Sequence, residues 1–262
     1  MSGDTGGVKP ADGADGAVGD RTEDALLGGR VRFEQFRHGF RSGIEPVLLA
    51  ATLPARPGSR VLDAGCGAGA ALLCASARIP DAIGTGIERD ADTARLARDN
   101  LRRNGLEHWP VIAAPVAAAA AFLPEGGFDH AVANPPWHAA AATRSPLPRR
   151  DGARRAPEGT LAEWCAALRR VLRHRGTLCL AIPAALHAEA AAAMCDTGFG
   201  AVTILPLWPR TGRNAKLVLM RGTRGARGPG RLLSGLTLHG TDGGFTADTN
   251  RILRDAAALP MD

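Results

Sequence analysis

The chain has no tyrosine: the large aromatics among its 262 residues are seven phenylalanines and four tryptophans. Its five cysteines, Cys66, Cys74, Cys165, Cys179 and Cys195, are odd in number and form no C-x-x-C pair. That spacing argues against a zinc site or a disulfide framework, so no metal is expected. Cys74, Cys165, Cys179 and Cys195 lie in apolar runs and read as small core residues, which fits a reducing, cytoplasmic setting. No apolar run approaches the ~18 residues of a membrane helix, so no membrane partner is expected. The opening "MSGDTGGVKPADGADGAVGD" lacks an apolar h-region and is acidic rather than basic, which is not the pattern of a signal peptide. There are no internal repeats.

What remains is a chain able to bury a full core. Apolar residues make up 45% of it, and its length fits one large α/β domain with appendages. The net charge of +6 admits a polyanionic partner without demanding one. Residues 1–24 are Gly, Asp and Ala with few large apolar side chains, and are expected to be disordered. Residues 25–222 form the main domain, including an N-terminal cap. Residues 223–262 are a basic linker followed by a strand and a terminal helix. Within the main domain, "RVRFEQF" reads as a strand and "IEPVLLAATL" as a short helix. "SRVLDAGCGAGAALLCASARI" then gives a buried strand, a glycine turn and a helix, and "AIGTGIERD" a second strand. "DADTARLARDNLRRNG" is a helix opened by Asp90 or Asp92 and closed by Gly105. "PVIAAPV", "FDHAVA" and "TLCLAI" continue the strands, and "AVTILPLW" and "AKLVLMR" are joined by a turn too short for a helix. Alternating strands and helices predict a doubly wound, Rossmann-like, seven-stranded and mostly parallel sheet. The last two strands are expected to pair antiparallel.

Two motifs carry chemistry. The first is "VLDAGCGAG" at the end of the first sheet strand. Gly65, Gly67 and Gly69 let the backbone bend tightly and let a ligand approach where a Cβ would clash. The helix that follows adds N–H donors. Glu88 ends the next strand, within reach of ribose hydroxyls. Gly65, Gly67 and Ala70 also satisfy the dinucleotide pattern G-x-G-x-x-G/A. Asp63 tilts the choice, since a pyrophosphate is repelled by a carboxylate there whereas a sulfonium and an amino group are attracted.

The second motif is "FDHAVANPPWHAA". Two consecutive prolines fix φ and remove two donors, so the strand must stop at Ala133. The side-chain carbonyl of Asn134 and the backbone carbonyl of Pro135 are two acceptors suited to gripping the hydrogens of a planar exocyclic amine. Such a grip pulls the amine toward tetrahedral geometry and frees its lone pair. Pro136 stiffens the turn, and Trp137 offers a face for a base to stack on, worth ~1–3 kcal/mol.

The pattern D-x-G-x-G-x-G, set on Asp63, Gly65, Gly67 and Gly69, resembles that of Rossmann-like S-adenosyl-L-methionine-dependent methyltransferases. Joined to Asn-Pro-Pro-aromatic, it is similar to the amino-methyltransferases. More narrowly the chain resembles the bacterial tRNA1(Val) adenine-N6 methyltransferase family, from about Gly28 to the C-terminus. The stretches that carry this are "GGRVRFEQFRHGFRSGIEPVLLAA", "LDAGCGAGA", "FDHAVANPPW" and "LLSGLTLHGTDGGFTADTNRILRDAAALP". The resemblance implies that Asp63, Gly65, Cys66, Gly67, Gly69 and Glu88 bind S-adenosyl-L-methionine. It implies further that Asn134, Pro135, Pro136 and Trp137 hold the target adenine of a tRNA or other RNA. Two departures stand out: Pro115 where relatives often carry an acid near the cofactor adenine, and Trp137 where Tyr or Phe is commoner.

Arg144, Arg149, Arg150, Arg154 and Arg155 follow the second motif, and phosphate contact is one reading of them. From Leu205 to Arg231 there are seven further basic residues (Arg210, Arg213, Lys216, Arg221, Arg224, Arg227 and Arg231) and no acid. No obligate protein partner is evident. Two other functions fit the same motifs. One is methylation of a protein glutamine amide, as in the release-factor methyltransferases, whose usual N-terminal helical domain is not expected here. The other is a non-catalytic S-adenosylmethionine- or RNA-binding module.

Overall fold

The computed structural model describes residues 20–38, 41–136 and 160–261, with the backbone alone at 138–139 and 155–156. The chain opens with strands β1 (Arg21–Leu26) and β2 (Val31–Phe36), which pair antiparallel. Strand β1 thus begins inside the segment expected to be disordered. Arg21 accounts for part of this, because it forms ion pairs with Glu34 of β2 and with Asp99.

After helix α1 (Glu45–Thr52) the chain alternates: β3 (Arg60–Ala64), α2 (Ala70–Arg78), β4 (Ile83–Glu88), α3 (Ala91–Arg103), β5 (Val111–Ala113), α4 (Ala119–Phe122) and β6 (Phe128–Ala133). The short strands β7 (His138–Ala139) and β8 (Arg155–Ala156) pair parallel with each other, apart from the main sheet. Then follow α5 (Thr160–Val171), β9 (Leu172–Pro183), α6 (His187–Asp196), β10 (Phe199–Trp208) and β11 (Leu217–Arg224). The chain closes with β12 (Arg231–Leu232), β13 (Leu236–Thr237) and α7 (Ala247–Asp255).

The main sheet runs β12-β10-β11-β9-β6-β3-β4-β5, with β13 also pairing β10. Strands β5, β4, β3, β6 and β9 are parallel, and β11 lies antiparallel between β9 and β10. The seven expected strands and the closing hairpin are there. Two short strands, β12 and β13, extend the edge parallel to β10 and bring the sheet to nine. They stand where one strand is expected after the basic linker; at two residues each they are too short for alternation of apolar and polar residues to show that there are two.

Side chains alternate across the sheet, as the pleat requires. Val61, Val132, Cys179 and Ala181 face one core with α1 and α2, while Leu62, Ala131, Ala133, Leu178 and Leu180 face the other with α5 and α6. The first core also holds Leu27, Val31 and Phe33 of the N-terminal segment and Leu236, Ile252, Leu259 and Met261 of the C-terminal one. The two ends of the described chain meet there. Gly28, at φ +66°, leaves room for the carbonyl of Arg254, which a Cβ would approach to 3.0 Å. His130 of β6 is buried beside Thr177 (Nδ1···Oγ1 2.8 Å), and burial lowers its pKa to about 4, so it is a neutral core residue.

Candidate cofactor and amine-binding site

In a parallel sheet the carboxyl ends of neighbouring strands meet along one edge, where ligands bind. Ala64 at the end of β3 is in register with Ile87 of β4 on one side and with Ala133 of β6 on the other. Gly65, Glu88 and Asn134 therefore leave three adjacent strands at one level.

The glycine loop is tightly determined. Gly65, Gly67 and Gly69 all have positive φ (71°, 53° and 89°). The N–H groups of Gly65 and Cys66 both donate to the Ile87 carbonyl, at 2.8 and 3.1 Å, which ties the loop to β4. The Gly69 N–H donates to the Cys66 carbonyl at 2.8 Å, and Gly69 caps α2 in the left-handed conformation. Glu88 bridges the loop to the next turn: Oε2 accepts the Gly67 N–H at 3.1 Å and Oε1 the Asp90 N–H at 3.0 Å. Each of those oxygens keeps a second lone pair. The side chain of Asp90 in turn caps α3 by accepting the Thr93 N–H at 2.8 Å.

Asp63 is 4% exposed, one residue before the strand end. Burial pushes its carboxyl up to about 7; the charge of Glu88 adds to this, and a hydrogen bond from the Leu72 backbone opposes it. A carboxylate made this costly to ionise is stabilised by a cation. Beside the loop, the space where a Cβ of Gly67 would stand is open to 4 Å. The residues present thus suit a group with positive charge near Asp63 and hydroxyls near Glu88. Cys66 turns its sulfur toward β4, where a Cβ on Gly86 would lie 2.8 Å from Sγ. Burial, with Asp63 and Glu88 nearby, keeps its thiol well above the usual range. Its part in the loop is that of backbone and packing.

At the end of β6, Pro135 is buried while Asn134 and Pro136 are half-buried. Trp137, Arg144, Arg149, Arg150 and Arg154 lie outside the described residues, and of Arg155 only the backbone, in β8, is described. Pro115 opens a short 3-10 turn after β5, and Ala114 spends its N–H on the Glu88 carbonyl (3.0 Å). No acid stands in that turn.

Sequence reasoning missed two neighbours of the loop. Trp164 of α5 occupies the place of the missing Gly65 side chain, for a Cβ there would lie 2.8 Å from its ring. Asn100 of α3 is fully buried and donates from Nδ2 to the Ala68 carbonyl at 2.9 Å. A polar amide among the buried residues Ala94, Leu96, Ala97 and Leu101 of the same helix was the available signal.

The acid-free basic segment divides three ways. Arg221 is buried and donates to the Met261 carbonyl, which Arg231 also reaches, and Arg224 donates to the Leu172 carbonyl. Arg210, Arg213 and Lys216 are exposed in the turn before β11, at the end where Leu217 pairs Pro183, which is the edge of Asn134. Arg227 is exposed beyond the other end of β11.

Residues 44–151 match the family model described as methyltransferase small domain. The chain is 30% identical over 199 residues to a tRNA1(Val) (adenine(37)-N6)-methyltransferase of Aeromonas hydrophila, covering 74% of this chain and 83% of that one. It is 42% identical over 80 residues to a release factor glutamine methyltransferase of Rhodospirillum rubrum, covering 30% and 24%. Among solved structures, a predicted O-methyltransferase from Agrobacterium tumefaciens aligns with a TM-score of 0.69 and 27% identity, over 82% of this chain and 98% of that one. The chain belongs to the tRNA1(Val) (adenine(37)-N6)-methyltransferase family and is an S-adenosyl-L-methionine-dependent methyltransferase.

Proposed function

We propose that this protein methylates the exocyclic N6 amine of an adenine in tRNA. One observation carries the reading: Asn134 and Gly65 leave adjacent strands at the same level, so an amine held by the first faces a methyl donor held beside the second. The name of the Aeromonas relative supports adenine in tRNA as the target.

S-adenosyl-L-methionine supplies a methyl group on a cationic sulfur. The chain's own residues hold and orient it. Asp63 carries the negative charge that faces the cation. Gly65, Cys66, Gly67 and Gly69 shape the backbone around it, and Glu88 accepts from the ribose hydroxyls. Opposite, the Asn134 side-chain carbonyl and the Pro135 backbone carbonyl each accept one hydrogen of the amine. With the donor held there, the nitrogen lone pair, freed from the ring, would take the methyl group as the electrons of the S–C bond return to sulfur. The amine would then shed its extra proton to water, and no general base need act before the attack. Pro136 fixes the direction of the acceptors, and Trp137 stacks on the base.

RNA is held by positive charge on the same edge. Arg210, Arg213 and Lys216 border it, and Arg144, Arg149, Arg150, Arg154 and Arg155 follow the Asn-Pro-Pro-Trp motif in sequence. The cytoplasm is where such a substrate is met. The test is methyl transfer from tritiated donor to total tRNA and, in parallel, to release factors, with mass spectrometry of the nucleosides. N6-methyladenosine in tRNA is expected. Label in protein glutamine but not in RNA would replace this reading with the one named by the Rhodospirillum relative, and label in neither would remove both.

A further inference from the structure

The N-terminal hairpin is joined to the glycine loop by a buried side chain. Strand β2 has β1 on one edge only. On its other edge the backbone of Glu34 and Arg32 meets two asparagines four residues apart, Asn100 on α3 and Asn104 at its C-terminal cap. Asn100 accepts the Glu34 N–H on Oδ1 at 2.9 Å and donates to the Glu34 carbonyl from Nδ2 at 2.8 Å. Asn104 does the same for Arg32, at 3.1 and 2.7 Å. Alternate residues of a strand present their N–H and C=O on one side at a spacing of about 7 Å. Residues i and i+4 of a helix are about 6 Å apart. The two amides therefore stand in for a strand partner, and Glu34 itself is ion-paired to Arg21 and Arg103.

Asn100 differs from Asn104 in where its second N–H goes. It reaches the Ala68 carbonyl, between the second and third glycines of the loop, at 2.9 Å. The N–H of the same peptide unit, on Gly69, is held by Cys66. That peptide plane is thus pinned at both ends. Its orientation sets the left-handed Gly69 and hence the direction of the first N–H groups of α2. The second N–H of Asn104 stays within α3, on the Asn100 carbonyl at 2.8 Å.

We propose that Asn100 is a positioning residue that couples the N-terminal hairpin to the cofactor loop. It holds the loop in its cofactor-binding shape from outside the glycine motif. By linkage, whatever affinity the cofactor gains from the pinned loop, the docked hairpin gains in stability from the cofactor. The inference rests on the glycine loop being the cofactor site.

The experiment uses the full chain with S-adenosylhomocysteine in calorimetry and amide exchange, and S-adenosyl-L-methionine in kinetics. Binding by the wild-type chain comes first. Its absence removes the cofactor-site reading and the coupling with it, whereas normal binding with the outcomes below removes the coupling alone. Asn100→Asp keeps the shape and the acceptor for Glu34 but turns a lone pair toward the Ala68 and Glu34 carbonyls. Asn104→Ala removes the Arg32 contacts, leaves the hairpin docked on α3 through Asn100 and Arg21, and leaves Ala68 pinned. Asn100→Asp is expected to weaken S-adenosylhomocysteine roughly tenfold, within the usual range of coupling between sites. The KM for S-adenosyl-L-methionine should rise with it while kcat at saturation holds. Asn104→Ala should leave affinity within about twofold, because its side chain does not touch the loop. In the wild-type chain, S-adenosylhomocysteine should slow exchange at the amides of Arg32 and Glu34. Equal losses of affinity in the two variants overturn the coupling, as does wild-type affinity in Asn100→Asp. If Asn100→Asp fails to fold, the wild-type exchange decides: no slowing in β2 on cofactor binding overturns it.

Discussion

The glycine loop and the Asn-Pro-Pro turn leave adjacent strands at the same level, yet they are held in opposite ways. The loop is fixed by partners outside itself: Ile87 and Glu88 on β4, Asn100 on α3 and Trp164 on α5. Its glycines supply the freedom to adopt positive φ, and the surroundings remove that freedom again. The Asn-Pro-Pro turn carries its constraint in its own covalent structure, because two prolines fix φ without help from neighbours. A loop built on glycines is set by its surroundings. A turn built on consecutive prolines is set by its own rings. The two halves of the site should therefore fail independently.

The largest expected effect comes from breaking the second half alone. On the proposed mechanism, Asn134→Ala removes one acceptor for the amine and leaves the glycine loop and Glu88 unchanged. Turnover on tRNA should fall by roughly 10²-fold or more, the scale for loss of one preorganised polar group. Calorimetric affinity for S-adenosylhomocysteine should stay near that of the wild-type chain. Near-normal turnover in this variant would remove the two-acceptor mechanism. A parallel loss of cofactor affinity would show that the two halves are not separable.

Breaking the first half alone is next. Asp63→Asn removes the charge proposed to face the cation while keeping the shape. The loss of a charge-assisted hydrogen bond, about 1.5–3 kcal/mol, corresponds to roughly ten- to a hundredfold in affinity. The wild-type chain should also show a pH dependence that the variant lacks. In the free protein the Asp63 carboxyl is raised to about 7. A cationic ligand favours the ionised form, so affinity should be full above pH 7. Below it the ligand must displace a proton, and affinity should fall toward tenfold per pH unit. For the free protein the sign is the reverse. The native state binds this proton more tightly than the unfolded chain, so the group's contribution to stability is best below about pH 4. It declines as pH rises to about 7, because there the unfolded chain has already released the proton. The thermal shift caused by S-adenosyl-L-methionine should thus be larger at pH 8 than at pH 6. An equal shift at both, or a pH dependence surviving in Asp63→Asn, assigns the titration elsewhere.

A third substitution asks whether the loop's surroundings set its shape. Gly65→Ala places a Cβ at φ +71°, 2.8 Å from the Trp164 ring. Left-handed strain and overpacking together should cost about 1–3 kcal/mol in a denaturation series. Pairing it with Trp164→Ala should recover the packing share and leave the backbone share. Costs that simply add in the double variant would mean the ring is no constraint on the loop.

These contrasts bear on what the sequence discloses. The seven principal strands, their order of chemistry and both motifs are legible because each rests on local pattern: apolar runs, glycine spacing and prolines. Asp90 as the cap of α3 is of the same kind. Asn100 and Trp164 are not legible as parts of the site, for their partners lie 32 and 99 positions away and only the packed sheet brings them together. Strand β1 is hidden for a related reason. Its sequence, "RTEDAL", is mostly polar, and its pairing depends on β2 and on the reach of Arg21 to α3. Arg221 shows the opposite failure. Position in a basic run invites a phosphate contact, whereas the pleat of β11 turns that side chain inward to Met261.

The smallest expected effect separates the two ends of β11. Arg210 and Arg213 stand on the edge of Asn134 and Gly65, whereas Arg227 stands beyond the opposite end. All three are exposed arginines of one sequence segment, so composition cannot rank them. If RNA lies along the catalytic edge, charge reversal at Arg210 and Arg213 should weaken tRNA binding. It should also flatten the salt dependence by ~0.7 in log–log slope for each single-strand phosphate no longer neutralised. Reversal at Arg227 should change the slope little, and none of the three should alter S-adenosyl-L-methionine affinity. Filter binding of tRNA across a salt series, for the double variant and for Arg227→Glu, measures this directly. Equal slopes for the two would mean that RNA wraps both ends of the sheet. Slopes unchanged from wild type in both would leave the phosphates to the arginines that follow Trp137.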